Sequence, residues 1–101
     1  MNMLTIVCNQ RFDDEIQALF LMNNIKGYTV IAGVGGSGVT GDVSTGHGWT
    51  DKNTLYLITL NEDQMLPLIN AVKEVHVRLV AERHGHEVPL KVFLQPCEVI
   101  V

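Results

Sequence analysis

The sequence has 101 residues, 47% apolar and 18% charged, with 7 Lys+Arg against 11 Asp+Glu and a formal net charge of −4. This composition predicts one domain over residues 1–101 with a buried core, and it excludes wholesale disorder. With no basic run, nucleic acid and anionic membranes are poor candidates for the main partner. Apolar stretches fall short of the roughly 20 residues a membrane span requires. No signal peptide opens the chain, and Cys8 and Cys97 are too few for a disulfide framework, so a cytoplasmic protein without direct membrane insertion is expected.

Met3 to Cys8 is a β-branched and apolar run, which predicts a first strand. Asp13, Asp14 and Glu15 crowd carboxylates where a helix N-terminus favours them. Ile16, Leu19, Phe20 and Asn23 continue at helical spacing, and Asn24 offers a stop, so the first helix is expected over 13–24. Tyr28 to Ala32 reads as a second strand and Thr54 to Leu60 as a third, the latter with Tyr56, Ile58 and Leu60 on one face. A long helix is expected from about Asp63 to His84. Its apolar stripe is Met65, Leu68, Ile69, Val72, Val75, Leu79 and Val80; Pro67 falls in the first turn and Gly85 terminates it. Val88, Leu90, Val92 and Leu94 then alternate with polar and aromatic partners, and Val99 to Val101 add an apolar stub.

The order β-α-β-β-α-β predicts a ferredoxin-like α+β fold, a four-stranded antiparallel sheet with both helices on one face. The strands carry apolar residues at both parities, so the open face calls for self-association.

Between the second and third strands, residues 33–53 hold seven of the nine glycines and no hydrophobic periodicity. A connector this long is anomalous where hairpin loops run about 2–5 residues, and it points to a functional loop. Gly33, Gly35 and Gly38 match G-x-G-x-x-G, but Val39-Thr40-Gly41-Asp42 cannot open the helix that the dinucleotide fingerprint needs, so that reading fails. What remains is a backbone-amide nest: Gly35, Gly36 and Gly38 permit close approach to an oxyanion, and Ser37 and Thr40 add hydroxyls. A flexible surface loop without a ligand is the plain alternative. Farther on, Trp49 sits among glycines beside His47 and Lys52, as an interaction tip or as an aromatic folded back on the sheet.

Ile25-Lys26-Gly27-Tyr28-Thr29-Val30, followed by Gly33-Val34-Gly35-Gly36-Ser37-Gly38 and a long loop, resembles the PII signal-transduction superfamily. The likeness runs over nearly the whole chain, and the specific part is residues 25–38. It is similar in particular to the PII-like proteins associated with bicarbonate transport and carboxysomes. The resemblance implies a homotrimer that binds adenine nucleotides (ADP, AMP or ATP) in clefts between subunits, with bicarbonate as a further ligand, and no prosthetic group. It makes 33–53 the flexible T-loop, docking through residues 39–53 and His47, Trp49 and Lys52 on a protein target such as a transporter, enzyme or carboxysome component. Carried over by position, Thr29 lies beside the nucleotide. Gly35 and Gly38 approach phosphate from the loop, while Gly85 and Lys91 do so from the segment after the second helix, the B-loop; Gly36, Ser37, Arg83 and His86 complete the expected nucleotide site. The chain departs from the family where Gly85 to Lys91 lacks the Gly-Asp-Gly-Lys pattern, where the loop has no tyrosine, and where no basic segment follows Val101.

Other chemistry is sparse. His84-Gly85-His86 with Arg83 fits a cation source at a helix end or a phosphate clamp, whereas a metal site there lacks a third ligand. Cys8 and Cys97 read as buried free thiols. No Ser-His-Asp, Cys-His or HExxH arrangement stands out, so a non-enzymatic sensor serving inorganic carbon or nitrogen metabolism is expected. The rival is a trimeric ferredoxin-like copper protein of the CutA kind, suggested by the two cysteines and four histidines.

Overall fold

The computed structural model of the chain describes residues 1–38, 41–43, 52–84 and 88–101. In chain order the elements are β1 (Asn2–Asn9), a 3-10 turn (Gln10–Phe12), α1 (Asp13–Met22), β2 (Thr29–Val34), β3 (Gly36–Gly38), β4 (Gly41–Val43), β5 (Asn53–Leu60), α2 (Glu62–Glu82) and β6 (Leu90–Pro96). Four strands form one antiparallel sheet in the order β2-β5-β1-β6, and β3 pairs only with β4. This is the expected ferredoxin-like arrangement.

Strand alternation separates the two sheet faces. Leu4, Ile6 and Cys8 of β1, Tyr56, Ile58 and Leu60 of β5, and Leu90 of β6 are buried. They pack with Ile16, Leu19 and Phe20 of α1 and Leu68, Val72 and Leu79 of α2 in one core. Met65, Ile69, Val75 and Val80 flank that core, so the apolar stripe expected for α2 is the one it buries. On the other face Ile31 and Phe93 are 46% and 55% exposed, while Met3, Val7, Leu55 and Leu57 are half-buried.

Several boundaries differ from the sequence reading for identifiable reasons. α1 stops at Met22 because Asn24 adopts a left-handed φ of 58°, which turns the chain so that Ile25 is buried. α2 begins at Glu62, one residue early, because Asn61 and Gln64 form a reciprocal capping box with bonds of 3.0 and 3.3 Å. Pro67 therefore lies in the second turn, on the exposed side, rather than in the first. At the other end Arg83 caps the helix and His84, at φ 55°, takes the left-handed position assigned to Gly85, which lies outside the described residues. β2 is shifted to Thr29–Val34, and the connector contains the β3–β4 hairpin. Val99 to Val101 are exposed and join no strand.

Candidate functional site

An antiparallel ferredoxin-like sheet gathers three chain connections at one end. Here that end holds the last residues of β1 and β2, the first of β5 and β6, and the C-terminus of α2. The strands entered from the 35–52 connector and the 83–89 segment, β5 and β6, therefore begin at the same end of the sheet on either side of β1, although 30 or more residues separate the two connections in sequence.

β2 aims the connector. Its register with β5 slips between Ile31 and Val34, placing three steps on β2 against two on β5, and Gly33 sits in this bulge at φ 71°. Only glycine adopts that conformation readily, so the bulge depends on this residue. Beyond it Gly36, Ser37 and Gly38 pair with Val43, Asp42 and Gly41. The second half of the glycine motif is thus itself a strand, where a dinucleotide fingerprint would open a helix. A Cβ on Gly36 would have nothing within 4 Å, so the main chain there is open to an approaching group.

The end of β1 ties both connections down. Asn9 N–H donates to Pro89 O at 3.1 Å and Gln10 N–H to Lys52 O at 2.9 Å. Asn9 Oδ1 accepts from the Arg11 backbone N–H at 3.0 Å and from Arg11 Nε at 3.1 Å, and the Arg11 guanidinium lies 5.9 Å from the centre of the Phe12 ring. Beneath the turn, Thr54 Oγ1 and the Tyr56 hydroxyl donate to the two Asp13 carboxylate oxygens at 3.0 and 2.8 Å. Asp13 is thus more than a carboxylate at a helix start. It anchors the β5 segment that leaves the connector. Burial first, and then the Asp13 charge, push the Cys8 thiol up to about 12. Burial also raises the Tyr56 phenol, with Asp13 adding to the effect and a bond from Gln17 opposing it. Both groups stay protonated at neutral pH.

Of the seven Lys and Arg residues, four stand at this end: Arg11, Lys52, Arg83 and Lys91. Two nearby carboxylates, Glu15 and Glu82, are already paired with Arg78. The arrangement sets open glycine backbone beside cations, the two ingredients of an oxyanion site.

The structure brings Gly35, Gly36, Ser37, Gly38, Lys52, Arg83 and Lys91 to this end but spreads them across the sheet. Lys91, Val7, Leu55 and Ile31 form one cross-strand row, so the β2 and β6 edges are roughly 14 Å apart at about 4.8 Å per strand spacing. Thr29 lies two rows farther from the loops on the same face as Lys91, opposite Leu57. Gly85, His86, His47 and Trp49 lie outside the described residues. Asn9, Arg11 and Asp13 were not singled out from the sequence as site residues; an Asn followed two residues later by Arg at a strand end was the available signal, since Asn is a preferred cap.

The two cysteines do not meet. Cys8 pairs with Leu90 and Thr54 near the loop end, while Cys97 N–H bonds to Met1 O at the opposite end of β1, 3.0 Å away. Both are free thiols, Cys8 buried and Cys97 only half-buried. The two cysteines that, with the four histidines, motivate a copper-binding reading thus form no joint site within one chain. Among the described residues no three His, Cys, Asp or Glu side chains cluster as a metal site, and no helix is long and apolar enough to cross a membrane.

Comparison with solved structures finds the same architecture in CPII, a nitrogen regulatory PII-like protein from Thiomonas intermedia K12. Its form bound to ADP, AMP and bicarbonate matches with a TM-score of 0.71 at 18% identity, covering 93% of this chain and 82% of that one. The chain has a PII-like fold. The form of CPII bound to ADP and bicarbonate matches at 0.69 and 20% identity, over 93% and 82% of the two chains. The apo form matches at 0.63 and 17% identity, over 93% and 85%. No family model and no curated protein matches the sequence. The order of strands and helices expected from the hydrophobic patterning of the chain is thus the order this PII-like fold has.

Proposed function

We propose that this chain is a non-enzymatic PII-like sensor. It binds an adenine nucleotide at the loop end of the sheet, with bicarbonate as a further ligand, and signals through the 39–53 loop to a protein target. The observation that carries the reading is that, on a PII-like fold, the open backbone at Gly36 and four of the seven Lys and Arg residues stand at the same end of the sheet. Amides and guanidinium or ammonium groups are the donors that phosphate oxygens and a small oxyanion such as bicarbonate require. A loop that binds ligand through its main chain is ordered by it, which couples occupancy to a target-facing conformation.

The two candidate half-sites, Thr29 with 35–38 on the β2 edge and Arg83 with Lys91 at the β6 edge, are too far apart for compact phosphate contacts in one chain. A second copy that sets its β2 edge against the β6 edge of the first joins them. Such a head-to-tail contact uses two different surfaces, and it closes into a ring when the rotation permits. Both surfaces are prepared for it. Val30 and Tyr28 are exposed at the β2 edge, and at the other edge a groove of about 640 Å³ runs between α2 and β6, floored by Leu4, Val72, Leu90 and Val92. With the apolar open sheet face turned inward, the ring we propose is a trimer in the cytoplasm.

Isothermal titration with ATP, ADP, AMP and bicarbonate tests the ligand, and light scattering tests the assembly. Micromolar binding of at least one adenylate to a trimer is expected. A monomer that ignores all three nucleotides would overturn the proposal.

A further inference from the structure

β1 lies between β5 and β6, the two strands that the 35–52 and 83–89 connections lead into. Its last amides reach one exit each, Asn9 N–H to Pro89 and Gln10 N–H to Lys52. The turn that follows is built around Asn9, whose side chain is buried within a residue only 4% exposed. Capping the turn requires one bond, from the Arg11 backbone N–H to Asn9 Oδ1 at 3.0 Å. The same oxygen also holds Arg11 Nε at 3.1 Å. That second bond restrains a long exposed side chain, an entropic cost that capping does not explain. Its effect is to fix a guanidinium between the exits of both connections.

We propose that Arg11 contacts the anionic end of the ligand and that Asn9 is its positioning residue. The inference rests on the nucleotide reading above and adds to it a contact from the centre of the sheet rather than from either edge. A guanidinium pre-set by a side-chain oxygen delivers its planar fork to a phosphoryl group with less entropy left to lose.

The test is calorimetric titration with ADP of the wild type, Arg11→Ala, Arg11→Lys, Asn9→Ser and the Arg11→Ala/Asn9→Ser double variant, with thermal unfolding as a control on folding. Asn9→Ser keeps an oxygen able to cap the turn but is too short to hold Nε as well. Arg11→Ala should weaken ADP about ten- to hundredfold, the range for losing charge-assisted bonds, with little change in melting temperature. Arg11→Lys should recover only part of the loss, because an ammonium lacks the fork. Asn9→Ser should cost several-fold, and the double variant should bind no worse than Arg11→Ala alone, since Asn9 acts through Arg11. Wild-type affinity in Arg11→Ala would overturn the contact, and additive losses in the double variant would overturn the positioning role. Arg11 is on the surface, so its variants test the proposal even where Asn9→Ser fails to fold. A wild type that binds no adenylate would instead defeat the nucleotide reading on which the inference rests.

Discussion

The two ends of the sheet are closed by different means. At the end away from the loops, local devices seal each connection. Asn61 and Gln64 cap α2 reciprocally, Asn23 Nδ2 donates to Leu19 O at 2.8 Å, and buried Ile25 follows the left-handed turn at Asn24. At the loop end long-range restraints join the local Asn9 cap. Lys52 and Pro89 are held through β1, and Thr54 and Tyr56 through Asp13, partners 41 and 43 residues away in sequence. Short-range caps fix a turn independently of its surroundings, whereas a shared anchor lets one connection feel what happens at the other. The second arrangement suits a binding end.

The largest effect that would sharpen this contrast lies in the glycine connector. Gly36→Val has open space for its side chain, so it should leave the melting temperature unchanged. It should nonetheless lower ADP affinity roughly a hundredfold if two amide bonds to charged oxygen are blocked. Unchanged titration curves would show that the main chain at Gly36 takes no part. Next is Asp13→Ala, which strands the hydroxyls of Thr54 and Tyr56, both almost fully buried. About 2–3 kcal/mol of stability should be lost in urea denaturation, and a value near zero would remove Asp13 as the anchor of the loop end.

Smaller effects distinguish the two ends further. Gly33→Ala places a Cβ at φ 71° and should cost about 1–2 kcal/mol. At the far end Asn61→Ala should cost about 1 kcal/mol through loss of the capping box, with ADP affinity untouched. A change in nucleotide binding on that substitution would break the division between the ends.

A further effect is a pH dependence. In the folded chain the Cys8 thiol sits at about 12 against an ordinary 9.0. Below the lower value both states are protonated. Above it the unfolded chain releases a proton that the folded chain keeps, so stability falls as pH rises through this window. Tyr56 acts in the same direction above its ordinary 10.0. Urea midpoints measured from about pH 8 to about pH 10.5 should decline, and less steeply in Cys8→Ala; identical slopes would mean that the thiol does not contribute.

Much of this was legible in the residues themselves. Period-two runs such as Thr54 to Leu60 and the period-3.6 stripe from Met65 to Val80 mark which side chains are buried, because each depends on local geometry alone. The glycine content of 33–53 marked an unusual connector for the same reason. Boundaries were less legible where a side chain chose the cap. Asn61 with Gln64 moved the start of α2 into register ahead of Pro67, and His84 rather than a glycine took the left-handed position after it.

Sequence alone therefore determined the order of elements, their buried faces and the unusual glycine content of the connector, all of which follow from spacing and residue type within a few turns of chain. Tertiary structure decided what those pieces do together. It turned Asp13 into a shared acceptor for Thr54 and Tyr56, put Cys8 and Cys97 at opposite ends of β1, and set Arg11 between two connections. Those relations arise from strand pairing across tens of residues, which no local pattern encodes.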